Sequence, residues 1–304
     1  MHFNSRFHKA IDKTYKKIDT DKFFNLNKKK DVILPLGSCF LDEFSYHLVK
    51  NKFKVCKKQK ENRMIKMKRE TNEKGIQFFF GNFYNPLNLL HNLERIVLKS
   101  WKFKETDFTF SENFGHYINL YIKSRYKTKN LKELISHLKK IDYYLLNEIK
   151  KSSVILLCFD GTEVWIDRYS RKAWHTFYGN YLNQKPHNKQ ANLKVLNYIE
   201  VKKIIKRIIE LISKFGDKKF ILMNSPHSLI TTYTNQDNQI ADHYAKSTFL
   251  SVFTDLQNKN IAYFPIYEIL DNLPDKQKFE KNYLYINSKT KKNIILPKFE
   301  ELFF

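Results

Sequence analysis

Cysteine is scarce in this 304-residue chain: Cys39, Cys56 and Cys158 are too few and too far apart for a disulfide framework or a tetrahedral zinc site. No metal or other cofactor is expected. Glycine and proline number seven each, so no stretch reads as a low-complexity linker, and no internal repeat is visible. A run of about 18 apolar residues is also missing, which argues against a membrane span. The opening "MHFNSRFHKAIDKTYKKID" has no apolar centre of the kind a secretory signal needs, so a cytoplasmic location is expected. Two further scarcities bear on chemistry. His243 is the last histidine and Asp275 the last aspartate.

Positive charge is abundant, with 55 Lys and Arg against 31 Asp and Glu and a formal net charge of +24. Such a balance attracts phosphates through counterion release. The lysines are dispersed in short groups, however, such as "NKKKD", "VCKKQK" and "KTKKN". Asn, Ile, Phe and Tyr are heavy as well, and with Lys they are the residues of A/T-rich codons. No helix-turn-helix, RRM or zinc-finger pattern accompanies the charge, so nucleic-acid binding ranks third among the functions considered. A hydrophobic content of 42% with 15% aromatics supports a folded core rather than disorder.

Short apolar runs alternate with longer stretches of helical period. "VILPLG" predicts a first strand and "FLDEFSYHLVKNKF" a helix after it, with "FKVCKK" as a second strand. "NPLNLLHNLERIVLKSW" predicts a helix with Pro86 in its first turn, where a missing N–H costs nothing. "NLKELISHLKKIDYYLLNEIKKS" reads as a long helix leading into the strand "SVILLCF". "VKKIIKRIIELISKFGD", capped at Gly216, feeds the strand "KKFILMNSP". "NQIADHYAKSTFLSVFTDLQNKN" feeds "IAYFPIYEIL", read as one further strand. Strands separated by helices of this length pair in parallel through right-handed crossovers, which predicts an α/β fold of three layers, α/β/α, around a mostly parallel sheet. In such sheets chemistry sits outside the C-terminal strand ends. Ser38 and Cys39, two nucleophiles at the first of those ends, allow two readings: a tight turn with a small buried thiol, or a catalytic serine at a helix N-terminus.

The motifs "LGSCF", "GNFYNPL", "TEVW", "NSPHSL", "AKS" and "YFPIYE", in that order and spacing over roughly residues 30 to 290, resemble the GSCFA family, which is grouped with the SGNH (GDSL-like) hydrolases. The resemblance implies a flavodoxin-like fold over 31–304, with an N-terminal extension at 1–30 and a helical insertion at about 86–150. It implies Ser38 as nucleophile, with free helix N–H groups and the positive dipole end favouring a developing anion. Backbone donors near Ser38 with Gly81, and Asn85 as a further donor, would form an oxyanion hole. The alternative for Gly81 and Asn85 is a turn that caps the helix at Pro86. In "CFDGTEVW", Asp160 stands where the family shows a glycine, unless a shift of one residue restores Gly161. Thr162 or Glu163 could face the site there, while Trp165 packs.

The match departs at the C-terminal end. Related hydrolases take their base from "D-x-x-H"; here "KFEKNYLYINS" places Asn282 at the aspartate and Tyr285 at the histidine. Without imidazole and carboxylate there, Ser38 lacks its ordinary base. A replacement base is one reading, His227 in "NSPHS" first and His175 second, each weighed against a plain loop histidine. Residual chemistry from oxyanion binding alone is another, and a pseudoenzyme that binds without turnover is the third. Cys39 is the weaker nucleophile, since a side chain adjacent to Ser38 points elsewhere and small cysteines are usually buried. The function expected is a serine esterase, an acyl hydrolase or acyltransferase acting on O-acyl groups, with a small-molecule or carbohydrate ester as partner. The alternative is an inactive protein that binds a carbohydrate or acyl ligand.

Overall fold

The computed structural model describes residues 23–56, 82–112, 115–122, 127–175, 191–229, 231–274 and 286–304. In chain order the elements are β1 (Val32–Gly37), α1 (Cys39–Lys50), β2 (Lys54–Val55), α2 (Pro86–Leu98), β3 (Phe108–Ser111), β4 (His116–Asn119), α3 (Leu131–Lys151), β5 (Val154–Phe159) and β6 (Glu163–Asp167). They continue with β7 (Ala191–Val195), α4 (Tyr198–Ser213), β8 (Lys219–Asn224), α5 (Asn238–Leu256), β9 (Ile261–Phe264) and α6 (Ile266–Asp271). A helical turn, a π-helical stretch (Lys291–Ile295) and α7 (Leu296–Phe303) close the chain.

Five strands form the central sheet in the order β2-β1-β5-β8-β9, and every neighbouring pair is parallel. Parallel strands buried on both faces read as continuous apolar runs, as "VILLCF" does. Alternation then divides the side chains between two cores. Val154, Leu156 and Cys158 of β5, with Ile221 and Met223 of β8, face α1, α6 and α7. Ile155, Leu157 and Phe159, with Phe220 and Leu222, face α2, α3, α4 and α5. The result is a three-layer α/β/α fold. Phe299 of α7 centres one core, with ring centroids 5.3 Å from Phe44, 5.4 Å from Phe264 and 5.1 Å from Phe303. Residues just before β1 join this core: Phe24 and Leu26 are buried in it, and the backbone N–H groups of Phe23 and Leu26 donate to the carbonyls of Leu302 and Phe303.

Two expectations are corrected. "IAYFPIYEIL" is not one strand: β9 ends at Phe264 and Ile266 begins α6, because Pro265 has no N–H to extend the ladder. "FKVCKK" contributes only the two-residue edge strand β2. Two antiparallel hairpins, β3–β4 and β6–β7, were not anticipated; the second contains the "TEVW" motif.

Most helices begin with a side chain that satisfies the free N–H groups of the first turn. Asn85 accepts from Asn88, Asn130 from Glu133, Asn197 from Glu200 and Asp237 from Gln239. Ser38, the N-cap of α1, makes no such side-chain bond. A residue type well suited to capping leaves its hydroxyl for something else.

Candidate functional site

The strand β1 can end where it does because residue 37 is glycine. Its φ is +146°, and a Cβ there would lie 1.9 Å from the Cys158 carbonyl oxygen. That close approach lets the Ser38 N–H donate to the same oxygen at 2.8 Å, locking β1 to β5 at their C-terminal ends. The Ser38 side chain is buried, with Oγ 3.7 Å from Cys158 Sγ. Phe83 N–H donates to the Gly37 carbonyl at 2.8 Å, and Asp160 N–H to the Tyr84 carbonyl at 3.0 Å. The "NFYN" segment is thus laid between the ends of β1 and β5.

One residue beyond β5 sits a carboxyl that the sequence motifs did not single out as a base. Asp160 is half-buried, and its Oδ1 is buried with no hydrogen-bond partner among the described residues. Burial pushes the carboxyl above the usual aspartate range; the Lys246 ammonium and the hydroxyls of Ser225 and Ser38 oppose that push without cancelling it. The register explains the meeting. Gly37 pairs with Cys158 and Phe159 with Asn224, so Ser38, Asp160 and Ser225 follow at one edge of three adjacent strands.

Lys246, from the "AKS" motif on α5, crosses this edge from the other core. Its Nζ donates to the His227 carbonyl at 3.0 Å and lies 3.6 Å from Asp242 Oδ1, with both side chains buried. Asn224 Nδ2 donates to the Lys246 carbonyl at 2.9 Å, and Tyr267 presents its ring 5.7 Å from the ammonium. The "NSPHS", "AKS" and "YFPIYE" motifs therefore converge on one cluster. The motifs themselves were the available signal; the roles of Asp160 and Lys246 were not legible from them.

Other candidates have described structural duties. His227 reaches the same edge, with Nδ1 3.7 Å from Cys39 Sγ. Burial first, then the charges of Lys246 and Lys291, hold its imidazole down to about 3. Asn85 spends its side-chain oxygen on the cap of α2, at 2.8 Å from Asn88 N, so only its amide hydrogens remain for an oxyanion. Glu163 anchors the loop beyond it, accepting from the Tyr233 N–H at 2.9 Å and from the Thr232 hydroxyl. Thr162 is buried, and its carbonyl accepts from Leu196 N–H at 3.0 Å. His175 is buried with its ring 5.2 Å from that of Tyr84. Trp165 packs against Tyr233. Gly81, Asn282 and Tyr285 lie outside the described residues.

Among the described residues no group of three or more His, Cys, Asp or Glu is arranged to hold a metal ion, and no helix is long and apolar enough to cross a membrane. Comparison with protein families matches the GSCFA family model over residues 32–299. No curated protein matches the chain.

Proposed function

The chain belongs to the GSCFA family, and from that premise we propose that it is an acyl-group hydrolase or transferase of the SGNH type with Ser38 as nucleophile. The observation that carries the reading is the Ser38 hydroxyl, not spent on capping α1, beside the half-buried Asp160 carboxyl at the sheet's C-terminal edge. In this reading Asp160 accepts the Ser38 proton, the serine oxygen attacks the ester carbonyl, and the amides at the start of α1 receive the negative charge. A carboxylate whose pKa is raised by burial is a better base than an exposed one, which offsets in part the loss of an imidazole. His227 is the alternative base. The substrate class is an O-acyl ester, with a carbohydrate ester favoured only by what related folds do.

A second reading, a ligand-binding pseudoenzyme, is favoured by Asn282 and Tyr285 at the positions where the family pattern has Asp and His. Neither takes a proton near pH 7, since an amide is not basic and a phenol titrates near about 10.

Turnover of p-nitrophenyl acetate by wild type, Ser38→Ala, Asp160→Asn and His227→Ala separates these readings. Slow wild-type turnover is expected, lost in Ser38→Ala and reduced about 10²-fold in Asp160→Asn. Brisk turnover that survives Ser38→Ala refutes the serine mechanism. Wild-type turnover at background supports the pseudoenzyme.

A further inference from the structure

Cys39 opens α1, and its Sγ lies 3.7 Å from Nδ1 of His227, 188 residues away in sequence. The loop after β8 brings them together and holds the imidazole firmly. His227 N–H donates to Ser225 Oγ at 3.4 Å, its carbonyl accepts from Lys246 Nζ at 3.0 Å, and its ring meets Phe40 edge-on at 5.8 Å.

The electrostatics of this pair favour an anion on sulfur. The imidazole is kept neutral by burial and by the positive charges of Lys246 and Lys291. Burial disfavours a charge on either group, but the two lysine charges favour an anion on sulfur, and the neutral imidazole has an Nδ1 within reach to donate its N–H to that anion. The free N–H groups of the first turn of α1 act in the same sense. Besides Asp42 in the first turn of α1, whose charge opposes a thiolate, three acids face this region from the packed elements. Glu43 on α1 is paired with Lys291, and Asp242 on α5 with Lys246. Asp160, after β5, is the third, and burial favours its neutral form.

Access distinguishes Cys39 from the other thiols. Cys39 is half-buried, whereas Cys56 and Cys158 are buried, with burial pushing both thiols up. The chain therefore contains its own controls.

We propose that Cys39, paired with the His227 imidazole, is a nucleophilic thiol that accepts acyl groups from activated donors such as aryl esters or acyl thioesters. This goes beyond the serine reading and holds or fails separately from it. In the step, a bond forms between Cys39 Sγ and the donor's carbonyl carbon, and the donor's C–O or C–S bond breaks. The thiol proton ends on the departing phenolate or thiolate. The product is a thioester on Cys39.

The full chain is incubated with p-nitrophenyl acetate at pH 7, quenched in acid, and the acetyl group located by peptide mass spectrometry. Neutral hydroxylamine removes a thioester from Cys39 and leaves an ester on Ser38. Acetyl on Cys39 is the expected result; acetyl on Ser38 alone overturns this inference while sustaining the serine reading, and acetyl on neither overturns it too. In parallel, iodoacetamide alkylation is followed at each cysteine from pH 6 to pH 10. Cys39 is expected to react at least about tenfold faster than Cys56 and Cys158 at pH 7, with a midpoint below the free-thiol value of about 8.5. His227→Ala is expected to slow Cys39 about tenfold at pH 7, the change expected from one pKa unit, with the difference closing as pH rises. A wild-type midpoint at or above about 8.5 overturns the inference even if His227→Ala fails to fold, and so do equal rates in the two proteins at every pH.

Discussion

Replacing Gly37 by alanine tests whether the β1–β5 junction positions Ser38. The added Cβ would sit 1.9 Å from the Cys158 carbonyl oxygen, where ordinary van der Waals contact begins near 3.4 Å, so one backbone must retreat by about 1.5 Å. The three nearest atoms are all backbone atoms of Cys158, so no side-chain rotation relieves the clash. The φ of +146° adds its own penalty, since L side chains rarely adopt it. Strained backbone costs about 1–3 kcal/mol and overpacking about 1–3 kcal/mol, together about 2–6 kcal/mol. That is a large share of a typical net stability of about 5–15 kcal/mol. The retreat also breaks the 2.8 Å bond from Ser38 N–H to the Cys158 carbonyl, and misplacing a reacting group by about 1 Å can cost about 10²-fold in rate. Urea unfolding followed by circular dichroism measures the first effect, and ester turnover corrected for the folded fraction the second. A Gly37→Ala protein within about 0.5 kcal/mol of wild type refutes the packing argument.

Asp160→Asn is expected to stabilise the fold at neutral pH while lowering ester turnover. The carboxyl's folded pKa is raised, so the folded state holds its proton longer than the unfolded chain. Stability is then lost as pH rises from the unfolded value of about 3.9 through the folded pKa. The difference in melting temperature between variant and wild type should therefore vanish near about pH 3.5 and widen toward pH 7; a constant difference contradicts the burial argument. Phe299→Ala empties the centre of a buried aromatic cluster and should cost about 3–5 kcal/mol by denaturant unfolding, and a loss under about 1 kcal/mol contradicts the packing described. Asn85→Ala removes the cap of α2 and should cost about 1 kcal/mol by the same assay. Duplex DNA binding, followed by fluorescence anisotropy, should be weak and lost by moderate salt; tight binding that survives it reverses the ranking of functions.

The layered fold was legible because its causes are local. "VILPLG", "VILLCF" and "KFILMN" are apolar enough to be buried on both faces, and the helical stretches between them require parallel crossovers. Ordered motifs placed the chain in its family even though no single motif would have done so. Where a local rule was overlooked the expectation failed: Pro265 alone divides "IAYFPIYEIL" into strand and helix, since it can neither donate to the ladder nor extend it.

The chemistry depended on contacts that no local pattern encodes. Ser38 meets Cys158 across 120 residues, and Cys39 meets His227 across 188. Periodicity in a sequence reports which face of one element is buried, whereas a site at a sheet edge depends on the register between strands. That register is fixed only when both faces of every strand are packed at once. The sequence by itself determined the layers, the family and the serine at the end of β1. Tertiary structure decided that Asp160, Ser225 and Lys246 gather beside that serine, and that the histidine of "NSPHS" lies against a thiol, because parallel pairing brings the ends of β1, β5 and β8 to one edge.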